Sequence, residues 1–147
     1  MKKSLFYLLA CVSVMLFTVS CNKDEFDFQG SLGNPVTSVE IKNGNVICTV
    51  DEGEIATIMY YNFVDGKLNN IKSDVHYKNK TLANAAYDVW KMISETEDNE
   101  FKSVEKDGKV LKIEYKLNSY EFMAAEDLTA EELAERLRMT SEYKYEF

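Results

Sequence analysis

The sequence predicts an α+β domain: an antiparallel sheet built from hairpins, with two helices packed on one of its faces. Three observations predict it. Asn43-Gly44, Asp65-Gly66 and Asp107-Gly108 each lie between strand-like runs, and such pairs readily take the positive φ angles of tight hairpin turns. Leu82, Ala85, Ala86, Val89, Trp90 and Ile93 recur at three- and four-residue spacing, as one side of a helix does. Thr129-Ala130-Glu131-Glu132 has the form of a capping box, which opens a second helix.

Taken in order, the first turn joins strands at 37–42 and 46–50, and the second joins 55–63 to 67–77. In residues 55–63, Ile55, Thr57, Met59, Tyr61 and Phe63 share one face and Ala56, Ile58 and Tyr60 the other. Both faces are fairly apolar, which predicts a central strand or one covered on both sides. Thr81 is the expected N-cap of a helix over about 82–97, whose Trp90 face packs on the sheet. The third turn pairs 101–106 with 109–117, where Leu111, Ile113, Tyr115 and Leu117 alternate with Val110, Lys112, Glu114 and Lys116. The shorter second helix runs over about 130–139 through Leu133 and Leu137. Aromatic and charged residues alternate over 142–147, as in a closing edge strand, and 118–128 carries no clear signal.

The first twenty residues belong to a different world. Lys2 and Lys3 open them, and an apolar stretch follows from residue 5 to residue 19. That stretch falls short of the roughly 20 apolar residues a membrane span needs. A basic start, an apolar core and small residues before a processing point describe a secretory signal peptide. The core then stops at Thr18-Val19-Ser20-Cys21.

A cysteine directly after a small residue in this setting resembles the cleavage motif of bacterial lipoproteins, departing from it at Thr18, where leucine is usual. The resemblance implies that the Cys21 thiol is acylated, with palmitate-like chains, and that the mature protein begins there. Leu8-Leu9-Ala10-Cys11 fits the same pattern, but it leaves an apolar core shorter than the roughly 7–15 residues such regions use. Asn22-Lys23-Asp24-Glu25 in turn resembles the export signal of surface lipoproteins in the Bacteroidota. It implies an outer-membrane lipoprotein displayed at the cell surface. Two or more acyl chains give stable anchoring where one does not. Gly30, Gly33, Asn34 and the only proline, Pro35, make 21–36 read as a flexible tether. Residues 37–147 then form a single domain.

With the signal gone, 15 basic residues face 25 acidic ones, a net charge of −10 with histidine neutral. Nucleic acid is thereby excluded as a main partner, since phosphate backbones are bound by Lys and Arg. Adhesion to anionic lipid by charge is opposed in the same way. Cys48 remains as the one thiol outside the first 21 residues, in the strand-like run Val46-Ile47-Cys48-Thr49-Val50, where burial is the expectation.

Reactive constellations are scarce. His76 is the only histidine, so a Ser-His-Asp or Cys-His arrangement must use it; Asp74, two residues away, shares its strand face. No nucleophile motif accompanies the pair, and neither a phosphate-cradling glycine loop nor a histidine or thiolate metal set is present. Residues 95–100, Glu-Thr-Glu-Asp-Asn-Glu, carry alternate acids but lack the glycine and final glutamate of a calcium loop. No catalytic residue, metal or cofactor is assigned. Tyr60, Tyr61, Tyr77, Tyr87, Tyr115, Tyr120, Tyr143 and Tyr145 all fall in the domain, and tyrosine is enriched at interfaces. Tyr143 and Tyr145 are the candidate exposed binding pair.

The composite expectation is a lipid-anchored cell-envelope protein with a small non-catalytic binding domain, directed at a glycan or an envelope protein. Two alternatives stand beside it. One is a hydrolase acting on glycan or peptide through carboxylates alone, which needs two of them held across a cleft. The other is an inhibitor-like domain that docks on an envelope enzyme through a concave sheet.

Overall fold

The computed structural model describes residues 26–117 and 127–143, the side chains of Glu142 and Tyr143 excepted. Six strands form one antiparallel sheet: β1 (Val36–Lys42), β2 (Asn45–Asp51), β3 (Ile55–Val64), β4 (Lys67–Tyr77), β5 (Phe101–Asp107) and β6 (Val110–Tyr115). Helix α1 (Lys80–Ser94) joins β4 to β5, and helix α2 (Ala130–Tyr143) follows β6. The spatial order is β1-β2-β3-β4-β6-β5, so β6 inserts between β4 and β5. The α+β class and the antiparallel sheet are as the sequence predicts.

Turn chemistry fixes the register. Asn43 and Gly44 have φ of 54° and 80°, and Asp65 and Gly66 have 54° and 79°, the type I′ pattern that matches strand twist. The third turn differs from expectation by one residue. Asp107 pairs with Val110, so the loop is Gly108-Lys109, with only Gly108 (φ 65°) at positive φ.

Register in turn sorts the side chains. Cys48 pairs with Met59, Met59 with Ser73, and Ser73 with Ile113, so these four share a face, as do Val46, Tyr61, Ile71 and Tyr115. Both helices lie on that face. Ala130, Leu133 and Ala134 of α2 pack on Val46, Cys48, Tyr61, Leu68 and Ile71. Ala83 of α1, flanked by Ala86, Tyr87 and Trp90, packs on Val75, Tyr77, Phe101, Leu111 and Ile113. Trp90 meets Phe101 edge-on with ring centroids 5.3 Å apart, and Tyr115 continues the stack at 5.5 Å from Phe101. Trp90 and Ala86 therefore pack on the sheet, as expected.

The rotation of α1 is a correction. Leu82, Ala85, Val89 and Ile93, expected inside, are exposed, and Ala83 and Tyr87 turn toward the sheet instead. The helix carries apolar residues around more than half its circumference, and the aromatic pair Tyr87 and Trp90 offers the larger buried area. Its N-cap also lies two residues earlier than Thr81. Asn79 has extended backbone angles and its Oδ1 accepts from the Leu82 amide at 2.8 Å, a stronger cap type than threonine. The helix ends at Ser94, where the hydroxyls of Ser94 and Thr96 bond back to Lys91 and Ile93 carbonyls.

The capping box of α2 forms as written: the Thr129 amide donates to Glu132 Oε1 at 2.9 Å and the Glu132 amide to Thr129 Oγ1 at 3.1 Å. The helix is longer than expected, however. Residues 142 and 143 belong to it rather than to an edge strand, and 144–147 and 118–126 lie outside the described residues. Arg138 reaches the Val39 carbonyl at 3.2 Å and ties the helix to the β1 edge.

Leu111 is fully buried between α1 and the sheet. Leu111→Ala should cost roughly 2–5 kcal/mol, and Asn79→Ala about 1 kcal/mol, both read by urea unfolding. A Leu111→Ala loss no larger than that of Asn79→Ala would contradict the packing described.

Candidate functional site

The opposite face of the sheet is the candidate site, because among the described residues neither helix lies on it. Two lateral rows cross its centre. Ile47, Tyr60, Lys72 and Glu114 form one, and Thr49, Ile58, Asp74 and Lys112 the other. Ile47, Thr49, Ile58, Tyr60, Lys72 and Asp74 are all half-buried. The rim is charged, with Glu40 on β1 and Glu105 on β5 exposed. At one side Asn62 donates to Asn70 at 2.6 Å, extending the polar border.

Asp74 is the electrostatic centre of this face. Burial pushes its carboxyl up from the usual range, against the pull of Lys112, of a hydrogen bond from the Tyr60 hydroxyl and of Lys72. The hydrogen bond links diagonal neighbours, since Asp74 pairs with Ile58 and Tyr60 with Lys72. Glu114, the nearest second acid in the row pattern, is turned to Lys102 at 3.6 Å, toward the β5 edge.

The far end of the same face is covered by the chain itself. Residues 26–30 cross it as a strap. Phe26 stacks on His76 with ring centroids 4.9 Å apart, and Phe28 lies against Phe26 at 4.9 Å and under the Lys78 ammonium at 5.9 Å. Asp51 holds the other half. One carboxylate oxygen accepts from the Gln29 amide and, at 3.0 Å, the Gly30 amide; the other accepts from Gly53 at 2.9 Å. Burial pulls this carboxyl up, but the three amides and Lys78 outweigh it and leave it below the ordinary range. The backbones meet closely. A Cβ on Gly30 would stand 2.0 Å from the Asp51 carbonyl oxygen, and Gly53 (φ 93°) packs directly on Gly30.

Residues 26–35, assigned to the tether by composition, are thus engaged with the domain, and a Ser31–Asn34 bridge leads them into β1. Phe26 and Phe28 flank a charged residue in strand-like alternation, and Asp51 and Gly53 stand two apart; those are the signals from which the strap could have been read.

Asp74 and His76 do share a face, as predicted from their spacing, yet the Phe26 ring covers His76 while Asp74 takes Tyr60. Cys48 lies on the helix-covered side, so it and His76 point to opposite faces of the sheet and form no pair. Burial pushes its thiol up, away from the reactive thiolate. Ser73 is buried on the same side as Cys48, sharing a hydrogen bond with the Tyr115 hydroxyl at 3.1 Å. In the 95–100 loop, Asn99 closes the turn by donating to the Thr96 carbonyl at 2.6 Å and accepting from the Phe101 amide at 2.7 Å. Among the described residues no three acidic, histidine or cysteine side chains converge on a metal position, and no helix is long and apolar enough to cross a membrane.

The tyrosines divide. Tyr61 and Tyr77 are buried in the two core clusters, and Tyr115 packs against both. Tyr87 is half-buried beside the Lys106 ammonium at 5.9 Å. Tyr60 alone of these stands on the uncovered face. Tyr143 is the last residue of α2, its side chain outside the described set, and Tyr145, Tyr120 and Cys21 lie outside the described residues.

Comparison with known proteins gives no match: no family model fits the chain, and neither curated proteins nor solved structures yield a significant similarity.

Gly30→Ala should dislodge the strap. Chymotryptic cleavage after Phe26 and Phe28 is expected to accelerate at least several-fold while the domain stays folded; unchanged protection would show the strap is not seated through Gly30. A second expectation concerns Asp74. Its folded pKa lies above the unfolded value of about 3.9, so the folded state holds the proton more tightly and stability falls as pH rises from about 4 through the folded pKa. Asp74→Asn removes that decline, and parallel pH–stability curves for the two proteins would refute it.

Proposed function

We propose that this protein is a lipid-anchored component of the cell envelope whose uncovered sheet face binds a partner, either a glycan or another envelope protein. One observation carries the binding role. Ile47, Ile58 and Tyr60 make a half-exposed apolar and aromatic centre, with Glu40, Lys72, Lys112 and Glu114 around it. An apolar centre within a charged rim is the anatomy of interaction surfaces. Tyrosine adds a ring that stacks on sugars and a hydroxyl that hydrogen-bonds. An enzyme as the partner would make this the inhibitor-like case, using the same face.

The anchoring role rests on the run from Lys2 to Cys21 and its resemblance to a lipoprotein signal. Display at the outer surface rests on Lys23-Asp24-Glu25. Acyl chains would concentrate the domain at the envelope, where a weak face-to-partner affinity suffices because the search is confined to a surface.

Both roles are testable in one strain. Cys21→Ser should abolish incorporation of labelled palmitate and shed the protein from membranes; retained label would disprove anchoring at this residue. Envelope extract and glycan arrays, probed with the purified mature protein, should yield a ligand that Ile58→Asp loses and that Val89→Asp, on the helix side, keeps. Loss with Val89→Asp, or no ligand at all, would overturn the assignment of the sheet face.

A further inference from the structure

The strap shortens the tether. Gln29 and Gly30 are held by Asp51, and Phe26 by His76, so residues 22–25 alone separate the docked chain from Cys21. Five residue steps span at most about 18 Å when fully extended. The docked end is one particular end of the sheet, where β2 finishes at Asp51, β3 begins at Ile55, β4 finishes at Tyr77 and β6 begins at Val110. The opposite end, at the Asp65-Gly66 turn, is the length of β3 away, about 30 Å for its ten residues.

At the docked end stands the most exposed large apolar side chain among the described residues. Leu32 is 86% exposed. It sits at the tip of a two-residue hairpin that Ser31 and Asn34 close with backbone hydrogen bonds of 3.2 and 2.9 Å, so the projection is built rather than frayed. Charge at this end is small beside that of the whole: Lys78, Lys80 and Lys109 stand against Asp27, Asp51, Glu52, Glu54 and Asp107, a balance of −2 where the mature chain carries −10. Anionic headgroups repel the chain as a whole far more than this end of it.

We propose that the strap seats the domain end-on upon the bilayer that holds its acyl chains, with Leu32 entering the headgroup region. The inference rests on acylation of Cys21, proposed above. An end-on seat leaves the central rows of the uncovered face, around Ile58 and Tyr60, standing off the membrane and open to a partner from the side. Leucine at an interface gains from removal of its apolar area from water, and the anchor removes the cost of bringing it there.

The test uses the full lipidated protein in vesicles of phosphatidylethanolamine and phosphatidylglycerol containing doxyl-labelled lipid. A fluorophore is attached at Leu32→Cys or, separately, at Asp65→Cys, while buried Cys48 stays unlabelled in the native state. Quenching at position 32 should exceed that at position 65 several-fold, and Gly30→Ala, which frees the strap, should erase the difference. Equal quenching at both positions would mean the domain lies flat, and no quenching at 32 would mean it is held off; each overturns the seat while leaving the anchor intact. Should mass spectrometry of the same sample find Cys21 without acyl chains, the anchoring itself fails, and the seat with it.

Discussion

A slip of one residue at Asn43-Gly44 or Asp65-Gly66 would carry Val46, Tyr61, Ile71 and Val75 to the far side of the sheet, because strand side chains alternate with a period of two. The two I′ turns prevent that slip by demanding positive φ at adjacent positions, which Asn-Gly and Asp-Gly supply with little strain. Everything else follows from the sorting they enforce. One face receives Val46, Ile71, Leu111 and Ile113 and attracts both helices. The other receives Lys72, Asp74 and Lys112, whose charges would lose their water under a helix without gaining partners.

Asp51 settles the end of that second face. It is 3% exposed, yet its carboxylate faces three backbone amides and the Lys78 charge, so the buried ion is compensated by hydrogen bonds of the charge-assisted kind. The amides of Gln29 and Gly30 come from chain that composition alone assigns to a tether. Under this strap Ala56 is fully buried and Val110 nearly so, giving the sheet a small second apolar contact opposite the main core. Among the described residues, strap and helices together leave the central rows around Tyr60 and Asp74 uncovered.

Helix α1 illustrates how far periodicity reaches. Apolar residues at 82, 85, 86, 89, 90 and 93 establish a helix, yet Ala83 and Tyr87 are apolar as well, so more than one stripe could face the sheet. Phe101 and Tyr77 decide between them. Trp90 meets the Phe101 edge and bonds toward Tyr77, and the helix turns to place it there, leaving Val89 and Met92 in solvent. The aromatic partner lies outside the helix, so no window over the helix alone contains the answer.

What the sequence by itself determined is whatever neighbours within a few residues can enforce: the hairpin turns, the alternating strands, the reciprocal Thr129–Glu132 cap, the run of apolar residues before Cys21. These depend on backbone angles and short hydrogen bonds, which local residue types dictate. Tertiary structure alone decided the insertion of β6 between β4 and β5, the face each helix covers and the seat of Phe26 on His76. Those choices bring together residues as far apart as Val39 and Arg138, 99 positions along the chain, and their energies come from buried area and shared carboxylates that exist only once the sheet has closed.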